Sequence, residues 1–443
     1  MRAKRLLLAV LTALLALLLS GCFVKTVDEL YTLPQHSDDY NRLEQAIESV
    51  MSAQSAVYAA PVSGINQQSV QLADLDGDGL EEAIAFLKTT GEKPLKAYIF
   101  SMVDGGYQPM DVIEGDGTSF ASVEYAPLTG GPGVEILITR QLSTDVLQSL
   151  CAYTYSGGHV VELMSTGCTA YRTADLDNDG RTDVFVLRSD TERQQGVAEL
   201  YRWRDGQMER EPEVSLSAAA SDVRRILIGN LTADVPAVFV ASSYEDGSLV
   251  TDVFAFHGTA FRNITAAGSG VGISTVRNYY VYSTDIDEDG CIELPEIRTL
   301  PAAADSEESF SVIDWYNLSL NAVRTHKCTT YHDFSGGWYL ALPDTWQDQL
   351  CILRNAEVGG VRGYTFCRWD GSAVTEQIFT VYAFSGDNRT QTASADGRFI
   401  LAEKGDITYA AQLGTGKWAR DLSEDGLKAM FRFIHIDWNS GET

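Results

Sequence analysis

Short apolar runs separated by polar turns recur through the middle of the chain, from about residue 65 to 325, with a period of roughly fifty residues. Each unit opens with a strand, passes a polar loop, continues with an apolar strand such as Ala83-Ile84-Ala85-Phe86, and ends in a hairpin. The hairpins are Ala97-Tyr98-Ile99-Phe100 before Asp104-Gly105-Gly106, Ala152-Tyr153-Thr154-Tyr155 before Ser156-Gly157-Gly158, and Leu200-Tyr201-Arg202-Trp203 before Asp205-Gly206. Val253-Phe254-Ala255-Phe256 before His257-Gly258, and Phe310-Ser311-Val312-Ile313-Asp314-Trp315 before Tyr316-Asn317, complete a set of five. The runs are rich in β-branched and aromatic residues, which suits strands.

The pattern changes at both ends. Leu43, Ile47, Val50 and Met51 are spaced for one amphipathic helix over 38–54, a spacer or cap for the repeats. From Asp333 the repeat stops and a different module begins, with strands expected at 349–354, 363–369, 377–384 and 407–412. It closes on a helix: Ser423 caps, Glu424 and Asp425 suit its N-terminal dipole, and Leu427, Met430, Phe431 and Ile434 form a buried stripe.

Three of the polar loops spell one phrase, D-x-D-x-D-G-x-x-[DE]. Asp74, Asp76, Asp78 and Glu82 stand at places one, three, five and nine of the first copy; Asp175, Asp177, Asp179 and Asp183 of the second; Asp285, Asp287, Asp289 and Glu293 of the third. Alternate carboxylates converge only if the backbone curls round them, which the sixth-place glycine permits. A hard-oxygen set of this kind describes calcium, with a backbone carbonyl expected from place seven: Leu80, Arg181 or Cys291. Glu296 gives the third copy an acid at place twelve, completing an EF-hand pattern on paper. Pro295, the strand-like 275–282 segment before the loop, and Ala85 and Val186 at place twelve of the other copies argue instead for a loop between strands. Two further loops are degraded: 127–135 keeps its second-place Leu128 and ninth-place Glu135, and 230–234 keeps the frame, but neither has the acids for a metal.

Short strands at this period, about four to a unit, suggest a β-propeller. The three acidic loops, each followed by an apolar strand, resemble the FG-GAP or VCBS repeat family, found in integrin alpha chains and many bacterial surface proteins. The resemblance covers roughly 65–325 and implies calcium between the first two strands of a blade. This chain has about five units where integrins have seven and does not spell Phe-Gly-Gly-Ala-Pro, so integrin ligand recognition does not carry over. The expected fold is therefore mainly β: a calcium-binding propeller of about five blades over 61–330, with a small α+β domain after it over 331–443.

The start of the chain adds an address. Arg2, Lys4 and Arg5 precede an apolar run over 6–19, too short to span a membrane and suited to a signal segment. Leu19-Ser20-Gly21-Cys22 resembles the bacterial lipobox, which implies removal of 1–21 and a lipid on Cys22, with 22–60 as anchor and spacer. The net charge of −28 disfavours nucleic acid and anionic lipid as partners. Six cysteines remain: Cys351 and Cys367 form the best-supported disulfide, Cys151–Cys168 and Cys291–Cys328 are paired by sequence proximity alone, and all six equally suit buried thiols.

Catalytic motifs are weak. Ser119 and Ser122 sit in a stretch resembling a subtilisin serine motif, but His257 comes after them, in the wrong order, and falls in a hairpin turn. His326, Cys328 and His332 lack a fourth zinc ligand. Trp203, Tyr279, Tyr280 and Trp315 are aromatics that stack on sugars when exposed and fill propeller cores when buried. The sequence thus points to a surface-anchored module binding a glycan or a protein, with a polysaccharide-acting enzyme as the rival class and a structural role in the envelope as a third.

Overall fold

The computed structural model describes residues 38–142, 148–190, 195–266, 273–302, 308–346, 348–358 and 361–435. Residues 1–37, with the expected signal segment and Cys22, lie outside them. The fold is mainly β, with six antiparallel sheets in succession along the chain. Among the described residues no helix is long and apolar enough to cross a membrane.

Five sheets occupy the repeat. The first combines Val57–Tyr58, Val70–Ala73, Glu82–Lys88, Leu95–Val103 and Gly106–Gly115. The second is the plain meander Ser119–Ala126, Glu135–Gln141, Gln148–Ser156 and His159–Cys168. The third runs from Ala170–Ala174 through Asp183–Asp190 and Gln195–Arg204, then Gln207–Arg210 and Val214–Ser215 on one edge. Val223–Thr232, Val235–Ser243, Leu249–His257 and Ala260–Asn263 make the fourth. Leu294–Thr299, Ser311–Leu318, Arg324–Asp333 and Trp338–Leu342 make the fifth. The expected hairpins turn on left-handed residues, with φ of 50° and 80° at Asp104 and Gly105 and 49° and 84° at Asp205 and Gly206.

Why the central strands are apolar without alternation is explained by how the sheets stack. In the first sheet Ile84 and Phe86 face Ile136 and Ile138 of the second, while Ala83, Ala85 and Leu87 face the other way, onto Leu43 and Ile47 of the helix Asp38–Gln54. Leu137 then packs with Val184 and Val186, Phe185 and Leu187 with Val238 and Val240, and Ala237 and Phe239 with Leu294 and Leu318. Each sheet is therefore covered on two faces, and every position of its central strand is worth burying. The fifth sheet's Val312, Tyr331 and Leu340 pack on the sixth sheet, whose outer face receives Ala393 of the short helix Arg389–Ala393. Helices, and not each other, thus cover the outward faces of the first and last sheets.

Several expectations are corrected. The 275–282 segment is not a strand. Arg277 bridges to Leu249 at the fourth sheet's edge, and its buried guanidinium Nε donates to Val281 O at 2.6 Å, folding the segment back on itself. The fifth hairpin does not turn at Tyr316-Asn317: the strand runs to Leu318, and the turn is closed by Ser319 N donating to Val323 O at 3.0 Å. Residue 331 is not a sheet boundary, because Arg324–Asp333 crosses it to pair with Trp338–Leu342. The last helix keeps its Ser423 cap, whose Oγ accepts from Gly426 N at 3.0 Å, but ends at Met430. Phe431–Phe433 becomes a fifth strand on Trp338–Leu342, and the Phe431 ring stacks on Trp338 at 5.4 Å. The stripe of Leu427 and Phe431 is real in burial but divided between helix and strand.

The sixth sheet holds Leu350–Val358, Val361–Trp369, Val374–Ser385 and Ile407–Leu413 close to the expected strands, with Phe399–Lys404 on its edge. Its register sets Cys351 directly opposite Cys367, both fully buried. Cys151 stands opposite Ser165, and Cys168 opposite Gln148, so those two cysteines are not cross-strand partners. All six are thiols in this structure.

This packing makes two testable differences to stability. Phe86 is fully buried with its ring edge-on to Phe120 at 5.1 Å. Urea unfolding of Phe86→Ala is expected to show a loss of about 3–5 kcal/mol, against less than about 0.5 for Leu72→Ala at the exposed edge. His332 is buried beside Trp315 and stacked on Tyr339 at 5.0 Å, and burial lowers its pKa to about 3. The unfolded chain takes up that proton below about pH 6.5 and the folded chain does not, so stability falls as pH drops from 6.5 towards 3, by at most about 1.4 kcal/mol per unit. His332→Phe is expected to flatten this limb in melts taken between pH 7 and 4.

Candidate metal centres

The acidic loops share a construction; the first two link strand to strand, and the third leads from the isolated Thr284–Glu293 bridge into Leu294–Thr299, so the expectation of strands on both sides fails there. The backbone is left-handed at places four and six, with φ of 76° and 88° at Gly77 and Gly79, 59° and 83° at Asn178 and Gly180, and 62° and 89° at Glu288 and Gly290. At Gly77 space imposes glycine as well, since a Cβ would meet Pro132 at 2.4 Å. The first-place carboxylate closes the curl: Oδ2 of Asp74, Asp175 and Asp285 accepts from the N–H of Gly79, Gly180 and Gly290 at 3.1, 2.9 and 2.8 Å. Oδ1 of the fifth-place Asp78, Asp179 and Asp289 accepts from the seventh-place N–H of Leu80, Arg181 and Cys291 at 2.7, 2.9 and 2.9 Å.

This curl gathers carboxylates. Asp74, Asp76 and Asp78 each offer an oxygen within 4.8 Å of the others, as do Asp175, Asp177 and Asp183, and Asp285, Asp287 and Asp289. Oxygens at this separation fit round an ion that takes its ligands at about 2.3–2.6 Å, the range of calcium, and the donor set is purely hard oxygen.

The ninth-place acid does a second job. Glu82, Asp183 and Glu293 are buried and accept from the N–H of the second-place residue, Leu75, Leu176 or Ile286, at 3.0, 3.0 and 3.1 Å. Asp183 also belongs to its convergent set, whereas Glu82 and Glu293 stand outside theirs, and Glu293 accepts from Asn317 Nδ2 at 2.7 Å with its other oxygen. The stripped 127–135 loop keeps the arrangement, with Glu135 accepting from Leu128 N at 2.7 Å, Thr129 N at 3.1 Å and Thr129 Oγ1 at 2.7 Å. Burial raises the pKa of Glu82 and pushes those of Asp183 and Glu293 up to about 7; neighbouring loop aspartates add to the rise and the amide bonds oppose it. A cation in the loop would relieve this strain on the charged form.

Successive loops also grip each other. The eighth-place amide of one loop donates to the first-place carbonyl of the loop before it: Val134 N to Asp74 O at 3.3 Å, Thr182 N to Pro127 O at 3.0 Å, and Ile292 N to Asn230 O at 2.9 Å. Between the 175–183 and 230–234 loops a side chain substitutes, Asn178 Nδ2 donating to Asp234 O at 3.0 Å. The result is a belt of five loops along one side of the stacked sheets.

The three acidic loops differ in their cations, which sequence reasoning missed. Among the described residues no ion pair reaches Asp74, Asp76 or Asp78. Arg202 Nη2 lies 3.0 Å from Asp177 Oδ2 in the second loop, and Lys327 Nζ lies 3.0 Å from Asp287 Oδ2 in the third while also bonding Asp289. Both bases come from strands remote in sequence, so spacing carried no signal for them. The other motifs do not assemble: His257 Nε2 meets Asn321 Oδ1 at 3.2 Å, His332 is enclosed by aromatic rings, and no acid, His or Cys group outside the three loops converges among the described residues.

No family model and no curated protein matches this chain. A solved structure described as "Crystal structure of the eukaryotic initiation factor" is similar at a TM-score of 0.29 and 9% identity, over 66% of this chain and 62% of its own length. Less than two thirds of that chain is matched, and the likeness carries no inference.

The buried acid beneath the stripped 127–135 loop provides a test free of metal. Glu135→Ala leaves Leu128 N and Thr129 N without their acceptor and is expected to cost about 2–4 kcal/mol in denaturant unfolding with chelator present, whereas Glu81→Ala on the surface costs less than about 0.5.

Proposed function

We propose that this chain is a calcium-stiffened binding module of the FG-GAP or VCBS type, its sheets acting as propeller blades, held at a membrane surface by a lipid on Cys22. The reading rests above all on one observation: convergent carboxylates recur at the equivalent turn of three different sheets. An accidental acidic turn has no reason to repeat the same first-place clamp and the same buried ninth-place acid. Calcium would be held by the three convergent sets, with the carbonyls of Leu80, Arg181 and Cys291 available at place seven. There it would neutralise like charges and stiffen the belt.

Six sheets capped by helices support an array of blades open at its ends, with the sixth sheet as an added blade and not a separate domain. The ligand of such a module is a glycan or a protein. Tyr279 and Tyr280, roughly half exposed at 49% and 53%, are available for stacking, whereas Trp315 is core.

Calcium is expected to raise the melting temperature, since a site filled at a hundredfold excess over its Kd adds about 2.7 kcal/mol to stability. Asp177→Ala should lower the melt in calcium and shrink the shift on chelation; an unchanged melt in both conditions would sink the loop assignment. Pull-down on cell-wall and plant polysaccharides, with calcium and with chelator, tests the ligand class. Calcium-dependent retention lost in Tyr279→Ala/Tyr280→Ala supports glycan binding, and release of new sugar ends would replace the binding reading with an enzymatic one.

A further inference from the structure

The third acidic loop already holds a cation. Lys327 stands on the strand Arg324–Asp333, second neighbour to Leu294–Thr299 in the fifth sheet, and reaches across to the loop that precedes that sheet. Its ammonium is 3.0 Å from Asp287 Oδ2 and donates to Asp289 Oδ2, two of the three carboxylates that converge there. An ammonium in that position occupies the oxygens a metal would need. A divalent ion and an ammonium within a few ångströms of the same carboxylate pair repel each other and compete for its oxygens.

The second loop differs in kind. Arg202 touches only Asp177 of that loop, and it is held elsewhere by Glu211 at 3.6 Å and by the Phe256 ring, whose centroid is 4.6 Å from its guanidinium carbon. It is buried and fixed, so it lines the loop without filling it. Lys327 is about a quarter exposed, on a flexible four-carbon stem, and among the described residues its ion pairs are with the loop acids alone. It can swing into solvent when displaced. Among the described residues no cation pairs with the acids of the first loop.

We infer that Lys327 is a built-in counter-ion of the third loop that competes with calcium for Asp287 and Asp289, so that the three loops fill unequally and the third fills last. The inference rests on the calcium reading of the loops. Its consequence is a loop that stays ordered when calcium is scarce: the lysine ties the turn to the fifth sheet until the metal replaces it. The exchange expels the ammonium and admits the ion with no covalent step, and its midpoint depends on calcium concentration and ionic strength.

Calorimetric titration of calcium into the chelator-stripped full chain tests this. The wild type is expected to show a weakest site that tightens about tenfold or more in both Lys327→Gln and Lys327→Met, the other sites being unchanged. Adding Asp287→Asn to Lys327→Gln should remove that gain, and Asp76→Asn should abolish a different, tighter site. Calcium bound by the wild type with all affinities unchanged or weakened in both lysine variants would overturn the role of Lys327 alone. No calcium bound by the wild type or by either lysine variant would overturn the calcium reading itself, and the inference with it.

Discussion

A carboxylate buried beneath the turn between strands is the interaction on which the repeat depends. Glu82, Glu135, Asp183 and Glu293 each accept the second-place amide of their loop, and a buried acid with such a bond is far cheaper to keep than one without. The same second-place residue drives its side chain into the core: Leu75, Leu128, Leu176 and Ile286 are all buried, and so is Leu231 in the fourth loop. One plug and one hydrogen bond therefore fix the turn before any metal ligand is counted. This explains how the 127–135 loop, without aspartates, keeps the shape.

The turns matter because they add directional ties between sheets, beside inter-sheet bonds such as Ser101 Oγ with Tyr155 OH at 2.8 Å and Val160 N donating to Asp111 Oδ2 at 2.8 Å. A stack of sheets in which each face is shared allows many sliding registers, since apolar side chains are not directional. The belt of hydrogen bonds from Val134 to Asp74, Thr182 to Pro127 and Ile292 to Asn230 is directional, and it joins sheets whose hydrophobic faces are already in contact. Gly133 shows how close this approach is, since a Cβ there would lie 2.2 Å from Leu75 O. Metal ions, where present, would stiffen alternate links of a belt that protein groups have already assembled.

Charge distinguishes loops that look identical as strings. Among the described residues the 74–82 loop has no paired cation, the 175–183 loop has its own Arg181 at 3.5 Å from Asp179 and part of Arg202, and the 285–293 loop is bridged by Lys327. Three copies of one phrase are thus three different electrostatic environments, because Arg202 and Lys327 come from strands that the phrase does not contain, while only the second copy carries a base of its own, Arg181.

By itself the sequence determined most of the strands, four of the five hairpin turns, the acidic loops and their stripped relatives, and the helix at 38–54. These are local matters: a glycine that alone tolerates a left-handed turn, a run of four apolar residues, an acid at the ninth place of a loop that opens on another. It failed where local preference was overruled. The 275–282 segment has strand composition, yet Arg277 ties it to the fourth sheet's edge and to its own carbonyls. Phe431 has helical spacing, yet Trp338 and an open strand edge draw it into a sheet. Only the tertiary structure decided which faces meet, that helices cap the first and last sheets, that the fifth sheet crosses residue 331, and which base stands at which loop. Those outcomes depend on pairs of residues far apart in the chain, and packing and charge act through space without regard to sequence separation.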